Sequence, residues 1–127
     1  MIGGKVLDAS ALVALVSGRI SALTWLAIAG TAGVVLYVPS LALAEVRAVR
    51  PDAGPQLADL VGHTQVVVGE LDAGAAAAVG QLLERAGAFD ALAGHVVYVA
   101  RQRGWPALTD DPGRLHRVDP GLEVELL

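Results

Sequence analysis

Lys5-Val6-Leu7-Asp8-Ala9-Ser10-Ala11-Leu12 carries, in one short stretch, a pattern that recurs along the chain. A brief apolar run, Lys5-Val6-Leu7, ends on a carboxylate, Asp8. Ala9–Val16 follows as a helix whose apolar residues are too dense to leave a polar face. Ser17-Gly18 breaks that helix, and Ile20–Ala29 reads as a second one. Val34–Val38 is a buried strand by its β-branched content, and Ser40 is placed to cap a helix over Leu41–Val49. Pro51–Pro55 is a turn, Leu57–Gly62 a short helix and Gln65–Val68 another strand. Asp72 caps an alanine-rich helix, Ala73–Arg85, that ends at Gly87; a further helix runs over Asp90–Arg103 and stops at Gly104. Pro106-Ala107-Leu108 is a short strand, Thr109–Gly113 a polar turn, and Val118–Leu127 a last β-like piece. Strands alternate with helices throughout. That alternation predicts an α/β fold of three layers (α/β/α) around a central, mostly parallel sheet, with ligands at the carboxyl ends of the strands.

The 127 residues suit a single domain, 1–127, and an apolar content of 54% fills one core. Charged residues at 17% exclude a disordered chain. Cysteine is absent, which excludes a disulfide framework, a thiolate zinc site and a cysteine nucleophile together. The net charge of −4 excludes capture of nucleic acid by bulk attraction, so a chain like this handles RNA only with a cation or a few local arginines. Ile20–Ala44 holds no charge, yet the Gly30-Thr31-Ala32-Gly33 break divides it into a helical and a β-rich part, which reads as two buried elements rather than a membrane span. A secretory signal would need Asp8 inside its apolar region, so the expected location is cytoplasmic.

The acids fall in unusual places. Asp8 ends the first strand, and Asp111 stands just past the Pro106–Leu108 strand, which is free to lie beside it. Glu45 is the lone charge in Pro39–Val46, and Asp90 opens the apolar run Ala91-Leu92-Ala93. Each has a purely structural reading as well: Asp8 and Asp90 as helix caps, Glu45 paired with Arg47 or Arg50, and Asp110-Asp111 as a turn with Pro112 and Gly113. Brought together, such carboxylates repel and need a cation. An oxygen-only donor set favours a hard divalent ion, Mg²⁺ or Mn²⁺.

Four stretches in order resemble the motifs of PIN domains, in particular VapC-like toxin ribonucleases: Val6–Leu12, Pro39–Val46, Phe89–Ala93 and Pro106–Asp111. The resemblance spans nearly the whole chain. It implies a Mg²⁺-dependent endoribonuclease in which Asp8, Glu45, Asp90 and Asp111 bind the metal and serve catalysis. Ser10, Thr109 and Asp110 would support them from behind, and the Thr-x-Asp spacing points to Asp111 over its neighbour. It further implies an RNA substrate, cleavage leaving a 5′-phosphate and a 3′-hydroxyl, and a cognate antitoxin that occludes the acidic cleft, for instance by inserting a basic side chain. The alternative is a PIN-like module that binds RNA or protein without cutting. Arg47, Arg50, Arg114 and Arg117 are candidates to hold flanking phosphates. The helices Ala9–Val16 and Ile20–Ala29 carry more apolar surface than one small core needs, and are candidates for a homodimer face or an antitoxin groove.

Overall fold

Val6 and Leu7 are wholly buried because the strand that carries them, β1 (Gly4–Leu7), is the middle strand of the sheet. β1 pairs with β2 (Val35–Pro39) on one side and β4 (Ala107–Thr109) on the other; β3 (Val66–Gly69) and β5 (Val124–Leu126) lie outside them. Every pairing is parallel, in the order β3-β2-β1-β4-β5. The structure is a computed structural model that describes residues 3–127; Met1 and Ile2, included in the single-domain reading, lie outside them. Parallel strands demand crossover connections. The helices supply them: α1 (Ala9–Val16), α2 (Ile20–Ala32), α3 (Ser40–Val49), α4 (Gly54–Val61), α5 (Ala73–Ala86), α6 (Ala91–Arg103) and α7 (Pro112–His116). The three-layer α/β/α architecture expected from the sequence is the one observed.

From β1 the chain steps outward to β2 and β3, then reaches β4 on the opposite flank of β1. The strand order therefore reverses between β1 and β4, and at such a switch point a crevice opens beyond the carboxyl ends of the strands. Val6 faces Ala107 and Leu7 faces Leu108 across that pairing, so Asp8 and Thr109 emerge side by side.

Several boundaries differ from the sequence reading. α2 continues through Gly30 to Ala32 and stops only at Gly33, whose φ of 70° is left-handed. Gly30 lies on open surface, so its lack of a side chain weakens the helix without breaking it. Ser40 is the first helical residue of α3, with Pro39 in the cap position and no side-chain cap bond. Pro51–Ala53 forms a 3₁₀ turn and α4 begins already at Gly54. The polar turn after β4 contains α7, capped by Asp111 with Pro112 at its start.

α6 is the most deeply packed helix, burying Leu92, Ala93, Val96, Val97, Val99 and Ala100. Gly94 is needed there: a Cβ would meet Val79 Cγ1 of α5 at 2.8 Å. Among the described residues, no single helix is long and apolar enough to cross a membrane.

Candidate metal-binding site

Asp8 leaves β1 in extended conformation and caps α1. Its Oδ1 accepts from the Ala11 N–H at 3.0 Å and from the Ser10 hydroxyl at 2.7 Å, and its Oδ2 accepts from the Thr109 hydroxyl. Each hydroxyl accepts in turn from the loop after β4: Ser10 Oγ from the Asp110 N–H at 2.8 Å, Thr109 Oγ1 from the Asp111 N–H at 2.9 Å. A hydroxyl has one proton. Both protons are committed to Asp8, so the loop and the carboxylate are locked together through two relays. Asp8 is only 2% exposed. Burial pushes its pKa up, and the Thr109, Ser10 and Ala11 hydrogen bonds, with the charge of Arg114, hold back part of that rise.

Glu45 projects from α3, and Asp90 caps α6, its Oδ1 accepting from the Ala93 N–H at 3.1 Å. The two meet through Arg114 of α7. Arg114 Nε donates to Asp90 Oδ2 at 2.6 Å and Nη2 to Asp90 Oδ1 at 2.9 Å; Nη1 and Nη2 donate to Glu45 Oε2 and Oε1 at 2.7 and 2.8 Å. The guanidinium is bidentate toward both carboxylates, the strong geometry for such pairs. It holds the Asp90 carboxyl below the usual range, while the two acids push the Arg114 pKa up. The carboxylates outnumber the guanidinium, so the pocket keeps a negative charge.

The last two acids sit differently. Asp111 caps α7 by accepting from the Arg114 N–H at 3.4 Å, and Asp110 turns to Arg19, 2.8 Å from its Nη1. Both are exposed. Among the described residues, no three His, Asp or Glu side chains are gathered into a ready metal cage. The donor chemistry nonetheless suits a hard divalent ion. Glu45 and Asp90 offer only carboxylate oxygens, they already chelate one cationic group, and the charge of that group is felt at Asp8.

Glu45 does not pair with Arg47 or Arg50, as its structural reading supposed. The Arg47 guanidinium lies against Gly54, and Arg50 is engaged by Ser17 Oγ at 2.9 Å and by Asp52 at 3.4 Å. Asp8 and Asp90 do cap helices, so capping and clustering coexist. Arg114 is the member of the cluster that sequence reasoning missed in this role. Its signal was local: Asp111-Pro112 is a cap followed by proline, which starts a helix and aims the residue three positions on. His95 is packed in α6 at 1% exposure, His63 Nδ1 accepts from the Gln65 N–H, and His116 contacts the Leu122 carbonyl. Beside the acids lies a cavity of about 410 Å³ bordered by Phe89, Asp90, Arg114, Arg117 and Val118.

The PIN domain family model matches residues 5–120. Among solved structures, the chain is similar to the crystal structure of VapBC2 from Rickettsia felis bound to a DNA fragment from their promoter, with a TM-score of 0.73 and 16% identity over 98% of each chain. At that identity the likeness is one of fold. No curated protein matches the chain.

Proposed function

This chain belongs to the PIN-domain family, and from that premise we propose that it is a Mg²⁺-dependent endoribonuclease, the toxin half of a toxin–antitoxin pair. One observation carries the reading: Glu45 and Asp90 arrive from separate helices to chelate a single cation, Arg114, whose charge is also felt at Asp8, the buried carboxylate at the β1/β4 switch point. Asp8, Glu45, Asp90 and Asp111 would hold Mg²⁺, with Mn²⁺ as a substitute. A bound ion of this kind lowers the pKa of water and offsets charge on a phosphodiester. The chain's own residues do the positioning. Thr109 and Ser10 fix both oxygens of Asp8, and through the Asp110 and Asp111 amides they fix the loop that presents the fourth acid. Asp110 supports the site through its backbone. Arg117 is exposed on the neighbouring cavity and suits a flanking phosphate, whereas Arg50 is engaged by Ser17 and Asp52 and the Arg47 guanidinium lies against Gly54.

The VapBC2 complex from Rickettsia felis motivates the partner: we extend that pairing to this chain as a cognate antitoxin acting in the cytoplasm. Ile20, Leu23 and Ile28 of α2 are exposed at 81%, 43% and 39%, and this apolar face is the surface we assign to a second copy or to the antitoxin. Mass in solution separates the two.

Arg114 seated among the acids favours the alternative, a PIN-like module that binds without cutting. Cleavage of single-stranded RNA by the purified chain decides between them. The nuclease reading expects cleavage that requires Mg²⁺, stops with a chelator and falls more than about 100-fold in Asp8→Asn, beyond the usual loss for a merely supporting residue. Cleavage that persists in Asp8→Asn, or none at any Mg²⁺ concentration, overturns it.

A further inference from the structure

We infer that Arg114 is a resident counter-cation: its guanidinium occupies the carboxylates of Glu45 and Asp90 in the metal-free chain, and a divalent ion binds them only by displacing it. The inference rests on the reading of these acids as metal ligands. Its first support is stoichiometric. All four carboxylate oxygens of Glu45 and Asp90 accept from Arg114, at 2.6–2.9 Å. Arg114 Nη2 donates to both carboxylates at once, so the guanidinium fills the space between them, where an ion ligated by both at ~2.0–2.1 Å has to sit. The two occupants exclude each other.

The second support is electrostatic. Glu45 and Asp90 stand on α3 and α6, helices anchored in the core by Ala42 and Val46 and by Leu92 and Ala93. Their backbones cannot retreat, and facing carboxylates raise each other's cost of ionisation. A single positive charge relieves that repulsion, but it leaves the pocket negative and leaves Asp8 without a direct ionic partner. A compact divalent ion answers both shortfalls.

The third support is room to move. The Arg114 N–H is held by Asp111, so the backbone of α7 stays in place. The side chain borders the cavity of about 410 Å³ shared with Phe89, Arg117 and Val118, so open space for a displaced guanidinium adjoins it. Arg114 is thus a positioning residue: it keeps Glu45 and Asp90 aligned before the ion arrives, and it sets the ion concentration at which the site fills.

Calorimetric titration with Mn²⁺ tests this on the full chain, with Arg114→Gln and Arg114→Lys beside the wild type. Arg114→Gln is expected to bind Mn²⁺ about 10-fold or more tightly, the scale of a residue that acts on a metal site through its ligands, with Arg114→Lys in between. A second readout follows the Arg114 Nε–H signal in ¹⁵N spectra, identified by its loss in Arg114→Gln. It should be protected from solvent exchange without metal and lose that protection as Mg²⁺ saturates the chain. If the wild type binds metal while Arg114→Gln binds no tighter, or the Nε–H stays protected at saturation, the counter-cation is overturned and the nuclease reading stands. If none of the three proteins binds either ion, both fall. Should Arg114→Gln fail to fold, Arg114→Lys decides: affinity equal to or below the wild type overturns the inference.

Discussion

Asp8 and the Glu45–Asp90 pair are carboxylates beyond the carboxyl ends of the strands, yet they are satisfied by opposite means. Asp8 is buried and held by neutral dipoles, a backbone N–H and two hydroxyls that are themselves held by backbone. Glu45 and Asp90 are partly exposed and held by one charged side chain at the end of a flexible stem. The first arrangement is rigid because both carboxylate oxygens are held by short groups that are themselves tied to backbone. The second depends on one guanidinium, which we infer a divalent ion displaces. One half of the site is therefore built into the fold, and the other half is occupied conditionally.

The rigid half should break hardest. Thr109→Val keeps the shape of a fully buried side chain but removes the proton Asp8 Oδ2 receives and the acceptor for the Asp111 N–H. Leaving a buried polar group unpaired costs ~1–3 kcal/mol. Urea unfolding should show a loss in that range, and RNA cleavage should fall ~10–100-fold, as for other groups that orient metal ligands. Ser10→Ala should cost less, ~0.5–1.5 kcal/mol, because Ser10 is partly open to water that can replace its hydroxyl. Equal losses in the two variants would mean the hydroxyls are not distinct relays.

This division also explains what the sequence revealed. The rigid half was legible: an apolar run ending in Asp8 and a strand followed by Thr109-x-Asp111 put two strand ends side by side, and the switch point lies there. Asp90 was legible for the same reason, since a cap before an apolar helix has a fixed place. Glu45 was visible only as a charge without a neighbour, because its partner is 69 residues away. Arg114 was hidden further, inside a helix read as a turn, where proline and glycine outweighed the capping signal of Asp111. The end of α2 was misplaced because Gly30 and Gly33 look alike in sequence, and only the left-handed φ of Gly33 separates a stop from a tolerated weak point.

A second contrast concerns charge rather than hydrogen bonds. The folded-state pKa of Asp8 is raised, chiefly by burial, so its ionisation opposes folding. Its contribution is most favourable below about pH 4, the unfolded carboxylate value, and is lost as pH rises through the folded pKa. Asp8→Asn removes that penalty and keeps an acceptor for the Ala11 N–H, but it sets an amide N–H₂ against the hydroxyl proton that Oδ2 accepts. Without metal, the Tm of the variant should therefore gain on that of the wild type between pH 3 and pH 7, whatever the offset from the lost hydrogen bond. A difference that stays constant over that range would show that burial does not penalise the ionised Asp8.

Asp90 should give the smallest effect, with the opposite sign. Its folded pKa is lowered, first by the Arg114 hydrogen bonds, so the stability it contributes is present above about pH 4 and is lost as pH falls through the folded value. Its side chain is 32% exposed, and solvent screens much of the ion pair. Denaturant midpoints at pH 5 and pH 3 should therefore drop slightly more in the wild type than in Asp90→Asn, whose amide still caps α6 but has no charge to lose. The comparison isolates the ionic contribution from the cap, because both proteins retain the acceptor for the Ala93 N–H. An equal drop in the two proteins would mean that Arg114 is anchored by Glu45 alone, and the conditional half of the site would then hinge on α3 rather than on α3 and α6 together.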